Sequence, residues 1–370
     1  MEKPTVIDLF SGCGGFALGA QLAGFHVSHA VEIDSNLHYS FPLNFPNSTT
    51  HLRDIRTLNK SYWNSVLGNK KPDAVIGGPP CQGFSDIGRR QTNDKRNKLV
   101  AEFFKQVEIL QPRFFIMENV KGILREHAKN LLQKELDKVS TQYKILEPLV
   151  LNASKFSIPT SRERVFVVGI NTSEMNNVDI LQLQKTNNRP VTVWDAISDL
   201  PKVCTYKSKK DNYDWKGYRK SAVDNNLSYA KSMRRLPRCG VGWVTSKTQV
   251  RNGKVSGNYK TLHTDVVQYR FKNTRQGSVE KVSRYPRLQA SGFCPTLRAG
   301  TGSDHGSYQA MRPIHPTQPR VISVREAARL QSFPDWFVFH PTIWHSFRMI
   351  GNSVPPMLAK IILRNFRYCL

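Results

Sequence analysis

Thr5-Val6-Ile7-Asp8-Leu9-Phe10-Ser11-Gly12-Cys13-Gly14-Gly15 is the stretch on which the fold turns. Its first six residues are mostly β-branched or apolar and read as a strand. The chain then bends through glycines and runs straight into a helix over 15–23, stopped by Gly24. The same alternation continues outward. Strand-like runs at 27–33, 74–76, 114–117, 143–151 and 164–170 are separated by helical patterns at 35–45 (broken at Pro42), 99–110 and 121–139. Strands alternating with helices predict an α/β fold on a doubly wound, mostly parallel, Rossmann-like sheet.

Composition changes near residue 171. From there to about 312 apolar periodicity is weak, and Gly, Asn, Ser and basic residues dominate. We read 172–311 as a second, smaller, loop-rich β-containing domain, with short alternating runs such as 250–259. Residues 1–171 plus 312–370 form the first domain. Helical signals return at 323–330, where Ser323 and Glu326 make a capping box, and a last helix covers about 353–366.

The 370 residues carry a formal net charge of +26. Residues 171–290 alone hold 23 Lys+Arg against 9 Asp+Glu. An excess of this size implies a polyanionic partner. Tyr213, Trp215, Tyr218, Trp243, Tyr259 and Tyr269 are interleaved with these charges, which favours nucleic acid over a membrane surface. No long apolar run and no leader pattern occurs, so a soluble chain in the cytoplasm is expected. With Asp8 so near Met1, no separate N-terminal DNA-binding module is expected. The six cysteines form no C-x-x-C pair, so neither metal nor disulfides are expected.

Open parallel sheets bind ligands beyond the carboxyl ends of their strands. That edge collects Phe10, Gly12 and Gly14 after strand one, and Glu32 after strand two, about 20 residues beyond Gly12. Asp54 follows a third strand, Pro80 and Cys81 a fourth, and Glu118-Asn119 a fifth. Gly12 to Ala17 also satisfies the dinucleotide pattern G-x-G-x-x-A, so a nicotinamide enzyme stays open at this point. In Gly77-Gly78-Pro79-Pro80-Cys81-Gln82-Gly83-Phe84-Ser85 two prolines stiffen the approach to a thiol, a candidate nucleophile. The plain alternative is a cysteine filling an apolar gap. Glu118, after an apolar strand, is expected in desolvating surroundings that suit a general acid, the alternative being an ion pair with an arginine.

Together these residues resemble the DNA (cytosine-5) methyltransferase family, of the bacterial restriction-modification type. The resemblance is carried by DLFSGCGG (8–15), GGPPCQGFS (77–85), ENV (118–120) and SRERV (161–165). It extends to REAARLQSFPD (325–335) and GNSVP (351–355). One departure is Thr160, where the family usually has Gln. The resemblance implies a class I S-adenosylmethionine-dependent fold and methyl transfer from S-adenosyl-L-methionine, leaving S-adenosyl-L-homocysteine, to C5 of a flipped-out cytosine in double-stranded DNA. Cys81 would add to C6, Glu118 would serve N3, and Asn119 would hold the loop and the exocyclic amine. Arg162 and Arg164 would bind cytosine O2 and a phosphate or the Cys81 loop. For the cofactor it implies Phe10, Gly12 and Gly14, with Glu32 on the ribose and Asp54 on the adenine amine. Pro80 and Leu99 would pack near the adenosine, and Asn352, Ser353 and Val354 would complete the pocket.

Segment 83–98 would close over the base, with Ser85, Arg89, Arg90 and Arg96 toward DNA. In the middle region Arg234, Arg235, Arg238 and Lys254 are the DNA-contact candidates. A monomer is implied, nucleoid-associated in the cytoplasm, with a cognate restriction endonuclease. An RNA (tRNA) cytosine-5 methyltransferase has PPCQPFT where this chain has PPCQGFS. An inert DNA-binding regulator is the other alternative, and the intact Cys81, Glu118 and arginine pair argue against it.

Overall fold

The computed structural model describes residues 2–80, 98–175, 178, 189–205, 213–219, 228–237, 240–299 and 311–370. Five strands pair in parallel: β1 (Thr5–Leu9), β2 (His26–Glu32), β3 (Thr49–Leu52), β4 (Ala74–Gly77) and β5 (Phe114–Asn119), in the order β3-β2-β1-β4-β5. Beyond β5 the sheet turns antiparallel. β6 (Lys144–Ile145), β7 (Leu149–Asn152) and the short β8 (Thr160–Ser161) lead to β9 (Glu163–Ile170), which pairs antiparallel with β5, β6 and β7. Every residue of β4 and β5 is buried, as in a strand covered on both faces.

The period of two assigns each face its own core. Val6, Ala74, Ile76, Phe114 and Ile116 join one apolar cluster, and Ile7, Leu9, Val75, Phe115 and Met117 the other. The second cluster is covered by α4 (Lys60–Leu67), α5 (Lys98–Leu110) and α6 (Glu126–Val139). On the first face lie α1 (Gly15–Ala23) and α13 (Pro356–Arg367). The helix read at 35–45 is two short ones, α2 (Ser35–His38) and α3 (Phe41–Asn44), and α12 (Ile343–Asn352) was not foreseen.

Contact between α1 and α13 is close enough to need glycine. A Cβ on Gly19 would stand 2.2 Å from Ala359 Cβ and 2.9 Å from Lys360 N. Gly19→Val is therefore expected to cost roughly 1–3 kcal/mol or more through overpacking, read as a lower urea midpoint. An unchanged midpoint would mean the two helices do not meet this way.

The middle region is loop-rich. Among the described residues its strands are two-residue pieces, β10 (Lys216–Gly217), β11 (Lys254–Val255) and β12 (Cys294–Pro295), the last paired with β8. It also carries α7 (Val193–Ile197), α8 (Ser228–Arg234), α9 (Val244–Arg251) and α10 (Asp265–Asn273). Part of the 250–259 run read as alternating is thus helical. Val193, Met233, Val255 and Leu288 share the apolar cluster of α1 and α13.

A buried ionic network ties this region to α11 (Val324–Leu330), whose N-terminus has the expected Ser323/Glu326 capping box. Arg329 is fully buried and meets Asp335 through Nε at 2.5 Å and Nη2 at 2.6 Å. It also meets both Asp199 oxygens at 3.2 Å. Arg325 donates to Ser256 O, Pro334 O and Phe337 O at 2.8, 3.0 and 2.9 Å. Much of the sequence 325–335 thus serves to hold the fold. Among the described residues no helix is long and apolar enough to cross a membrane.

Candidate active site

The chain leaves β1 toward β2 on one side and returns to β4 on the other, so the carboxyl ends of β1 and β4 face a topological switch point. A cavity of about 540 Å³ lies there. Its walls include Phe10, Gly12, Glu32, Asp54, Pro80, Leu99, Glu118, Asn119, Arg162, Arg164, Asn352, Ser353 and Val354. Thirteen candidate residues from eight separate segments therefore meet around one space. Gly14 does not line it. Gly14 is the N-cap of α1 at φ 95°, and a Cβ there would stand 2.4 Å from the Phe45 ring. Its glycine is required by the turn and by core packing.

Glu32 organises the first loop. Its Oε2 accepts from Gly12 N at 2.9 Å, and Oε1 accepts from Ile33 N and Asp34 N at 2.8 and 2.9 Å. Burial pushes this carboxyl upward, and the three backbone donors oppose that. Asp8, which the sequence reading passed over, also lines the cavity. It is buried, and its carboxylate accepts from Ala17 N at 3.2 Å in the first turn of α1, where Gly14 offers no side-chain cap. Its signal was an acid inside an otherwise apolar strand. Burial pushes the Asp8 carboxyl well above the usual range.

At the opposite wall the C-terminal segment closes in. Ser353 Oγ donates to Met349 O at 2.7 Å and lies 3.2 Å from Cys13 Sγ. Asp54 caps the turn Ile55–Thr57 and pairs with Arg56, a cavity residue not predicted, which holds the carboxyl below its ordinary range.

The end of β5 meets the start of β9 in an ion pair. Arg164 Nε lies 2.7 Å from Glu118 Oε1, with both side chains about nine-tenths buried. Glu118 was expected in an apolar setting; the structure gives it an arginine partner as well. Burial lowers the Arg164 guanidinium pKa, and Glu118 acts against that. Asn119 Nδ2 donates to Pro79 O at 3.1 Å and so holds the loop that leads to position 81. Arg162 is fully buried, and burial first, then Arg164, push its pKa well down. At Thr160 the hydroxyl donates to Cys294 O at 3.0 Å and accepts from Gln331 Nε2 at 3.3 Å, so the departure from Gln leaves a satisfied hydroxyl.

Cys81, Ser85, Arg89, Arg90, Arg96 and Arg238 lie outside the described residues. Arg235, just past the end of α8, and Lys254, on β11, are exposed. Arg234, read as a DNA-contact candidate, is engaged within the protein. Its Nε donates to Asp199 Oδ2 at 3.0 Å and its guanidinium lies 4.6 Å from the Tyr218 ring centroid, making it part of the ionic network. Net charge alone does not separate such a paired arginine from an exposed one.

A Rossmann-like sheet with a carboxylate-braced glycine loop at a helix N-terminus defines a nucleotide-type binding enzyme. Comparison with known proteins makes the class specific. The profile of the family described as C-5 cytosine-specific DNA methylase matches residues 4–367, and the chain belongs to that family. The type II methyltransferase M.XorII of Xanthomonas oryzae is 37% identical, over 98% of this chain and 84% of its own. M.DdeI of Desulfomicrobium norvegicum is 31% identical over 97% and 87%. The crystal structure of a prophage-encoded E. coli protein, solved as a candidate DNA modification methyltransferase, superposes with a TM-score of 0.86 at 41% identity, covering 99% of both chains. Dnmt2 of S. pombe, with a TM-score of 0.61 at 16% identity and 97% of both chains covered, shares the fold. The protein is an S-adenosylmethionine-dependent DNA (cytosine-5) methyltransferase.

The walls suit that cofactor. The cavity lining combines the Glu32 and Asp54 carboxylates with the apolar surface of Pro80 and Leu99, and nothing lies within 4 Å of a Cβ position on Gly12.

Proposed function

We propose that this chain methylates cytosine within a short duplex sequence through a covalent adduct of Cys81 with C6, as the modification enzyme of a restriction-modification system. The observation that carries the reading is the convergence of Glu118, Arg164 and the Pro79-Pro80 approach to Cys81 on one wall of the cofactor cavity. Phe10, Gly12, Glu32, Asp54, Pro80, Leu99 and residues 352–354 would hold S-adenosylmethionine. When bound, it supplies an electrophilic methyl group.

Cytosine C5 belongs to an electron-poor ring. Addition of the Cys81 thiolate to C6 makes the ring an enamine with a nucleophilic C5. Glu118 faces N3, where charge collects on addition, and shares a proton with it, while Arg164 orients the carboxyl. Asn119 keeps the Pro79 carbonyl, and hence the nucleophile loop, against β5. Loss of the C5 proton and expulsion of the thiolate restore aromaticity. The base must leave the duplex for any of this, at a cost of a few kcal/mol, and segment 83–98 with Ser85, Arg89, Arg90 and Arg96 would close over it. Arg235, Arg238 and Lys254 would meet DNA from the middle region, 172–311, read as the target-recognition domain. A monomer acting in the cytoplasm beside a cognate endonuclease completes the reading; the type II naming of the relatives supports it.

Bisulfite sequencing of duplex DNA treated with the purified protein is the test. One recurrent sequence context protected at a single cytosine is expected. Absence of protection on DNA with methylation of RNA instead would replace the duplex substrate.

A further inference from the structure

Arg164 has a carboxylate partner, whereas the hydrogen bonds of Arg162 among the described residues go to main-chain oxygens only. Nη1 donates to Leu297 O at 3.2 Å and Nη2 to Gly351 O at 2.9 Å, and Nε finds no partner among the described residues. Leu297 lies where the middle region returns after β12. Gly351 opens the 351–354 wall of the cavity. The two backbones touch: a Cβ on Gly351 would stand 2.7 Å from Ala299 N and 3.0 Å from Ala299 Cα. Thr160, two residues before Arg162, adds a parallel tie through Cys294 O, and β8 pairs with β12.

A planar fork of donors holds two carbonyls of different segments in one fixed geometry; an ammonium at the end of a flexible stem holds them less rigidly. A guanidinium so engaged, with no exposed surface, is poorly disposed to take up a base oxygen as well. We infer that Arg162 is a positioning residue: it staples the return of the target-recognition region to the cofactor wall 351–354, leaving contact with cytosine to Arg164. The inference rests on the site reading given above. It makes cofactor affinity depend on how the middle region is seated, even with no DNA present, and by linkage makes DNA affinity depend on cofactor.

The test measures S-adenosylhomocysteine dissociation constants of the DNA-free enzyme by calorimetry, together with kcat and both KM values. Arg162→Lys is expected to weaken S-adenosylhomocysteine at least about tenfold, and to raise the cofactor KM alongside, the scale of a lost charge-assisted hydrogen bond. Arg164→Lys should change that affinity less than about threefold while lowering kcat. Gly351→Ala keeps the Arg162 side chain but presses the segment that accepts from it against Ala299, and should weaken S-adenosylhomocysteine in the same way; it keeps the test decisive if an Arg162 variant folds poorly. A fall in kcat for Arg162→Lys with cofactor affinity unchanged would overturn the staple and return Arg162 to the base. Full kcat in Arg164→Lys would instead overturn the site reading, and a raised dissociation constant in Arg162→Lys would still support the staple.

Discussion

Replacing Cys81 with alanine is expected to lower kcat by on the order of 10⁴-fold or more, while duplex binding changes little. The reasoning is chemical. Without a nucleophile at C6 the C5 carbon stays in an electron-poor aromatic ring, and neither Glu118 nor Arg164 can substitute for the missing covalent bond. Neither Cys13 nor Cys294 offers a replacement. Cys13, at the cavity wall, has its thiol pushed up to about 12 by burial, with Ser353 acting against the shift, so almost none of it is thiolate near neutral pH. Cys294 is wholly buried and pushed up likewise. Duplex affinity rests mainly on phosphate contacts from the basic surface, which the substitution leaves alone. Measured as tritium transfer to DNA and as gel-shift affinity, retained turnover in Cys81→Ala would refute the adduct, and loss of both would point to a structural role for the residue.

The second large effect concerns stability. Arg329→Met is expected to destabilise the fold by about 3–5 kcal/mol, because breaking a buried ion pair from one side strands the other charge. Here two carboxylates lose their partner. Asp199 and Asp335 are both fully buried; Asp199 keeps the paired Arg234, while among the described residues Asp335 keeps the Tyr218 hydroxyl at 2.5 Å and the more distant charge of Arg325. Burial alone would raise the Asp335 carboxyl, and it is Arg329 that holds it below its ordinary range. The variant should therefore show a markedly lower urea midpoint at neutral pH. Removing both sides at once, Arg329→Met with Asp335→Leu, should recover part of the loss, since no charge is then left stranded. A single-variant cost below about 1 kcal/mol would mean that the network is hydrated and weak.

These two residues also mark what could and could not be read from the residue order. The sheet edge was legible because strands deliver their last residues to one side: Phe10, Glu32, Pro80, Glu118 and Asn119 line a single cavity. Residues 8–15 and 15–23 were legible for the same local reason, an apolar strand entering a helix through glycine. The middle region was less so. Its helices span five to nine residues and are anchored by Asp199, Arg325, Arg329 and Asp335, charged groups that hydropathy assigns to the surface. For that reason the pairing of Arg234 with Asp199 was not legible in the residue order. Asp8 escaped notice because its partner, the Ala17 amide, is a main-chain group with no mark in the side-chain pattern.

The meeting of α13 with α1, and of residues 352–354 with the first glycine loop, has a consequence for the birth of the enzyme. During translation the opening half of the pocket leaves the ribosome long before its closing half. On the site reading proposed above, a nascent chain lacking residues 343–367 would have no finished niche for the methyl donor, and modification is expected only after synthesis has passed that point.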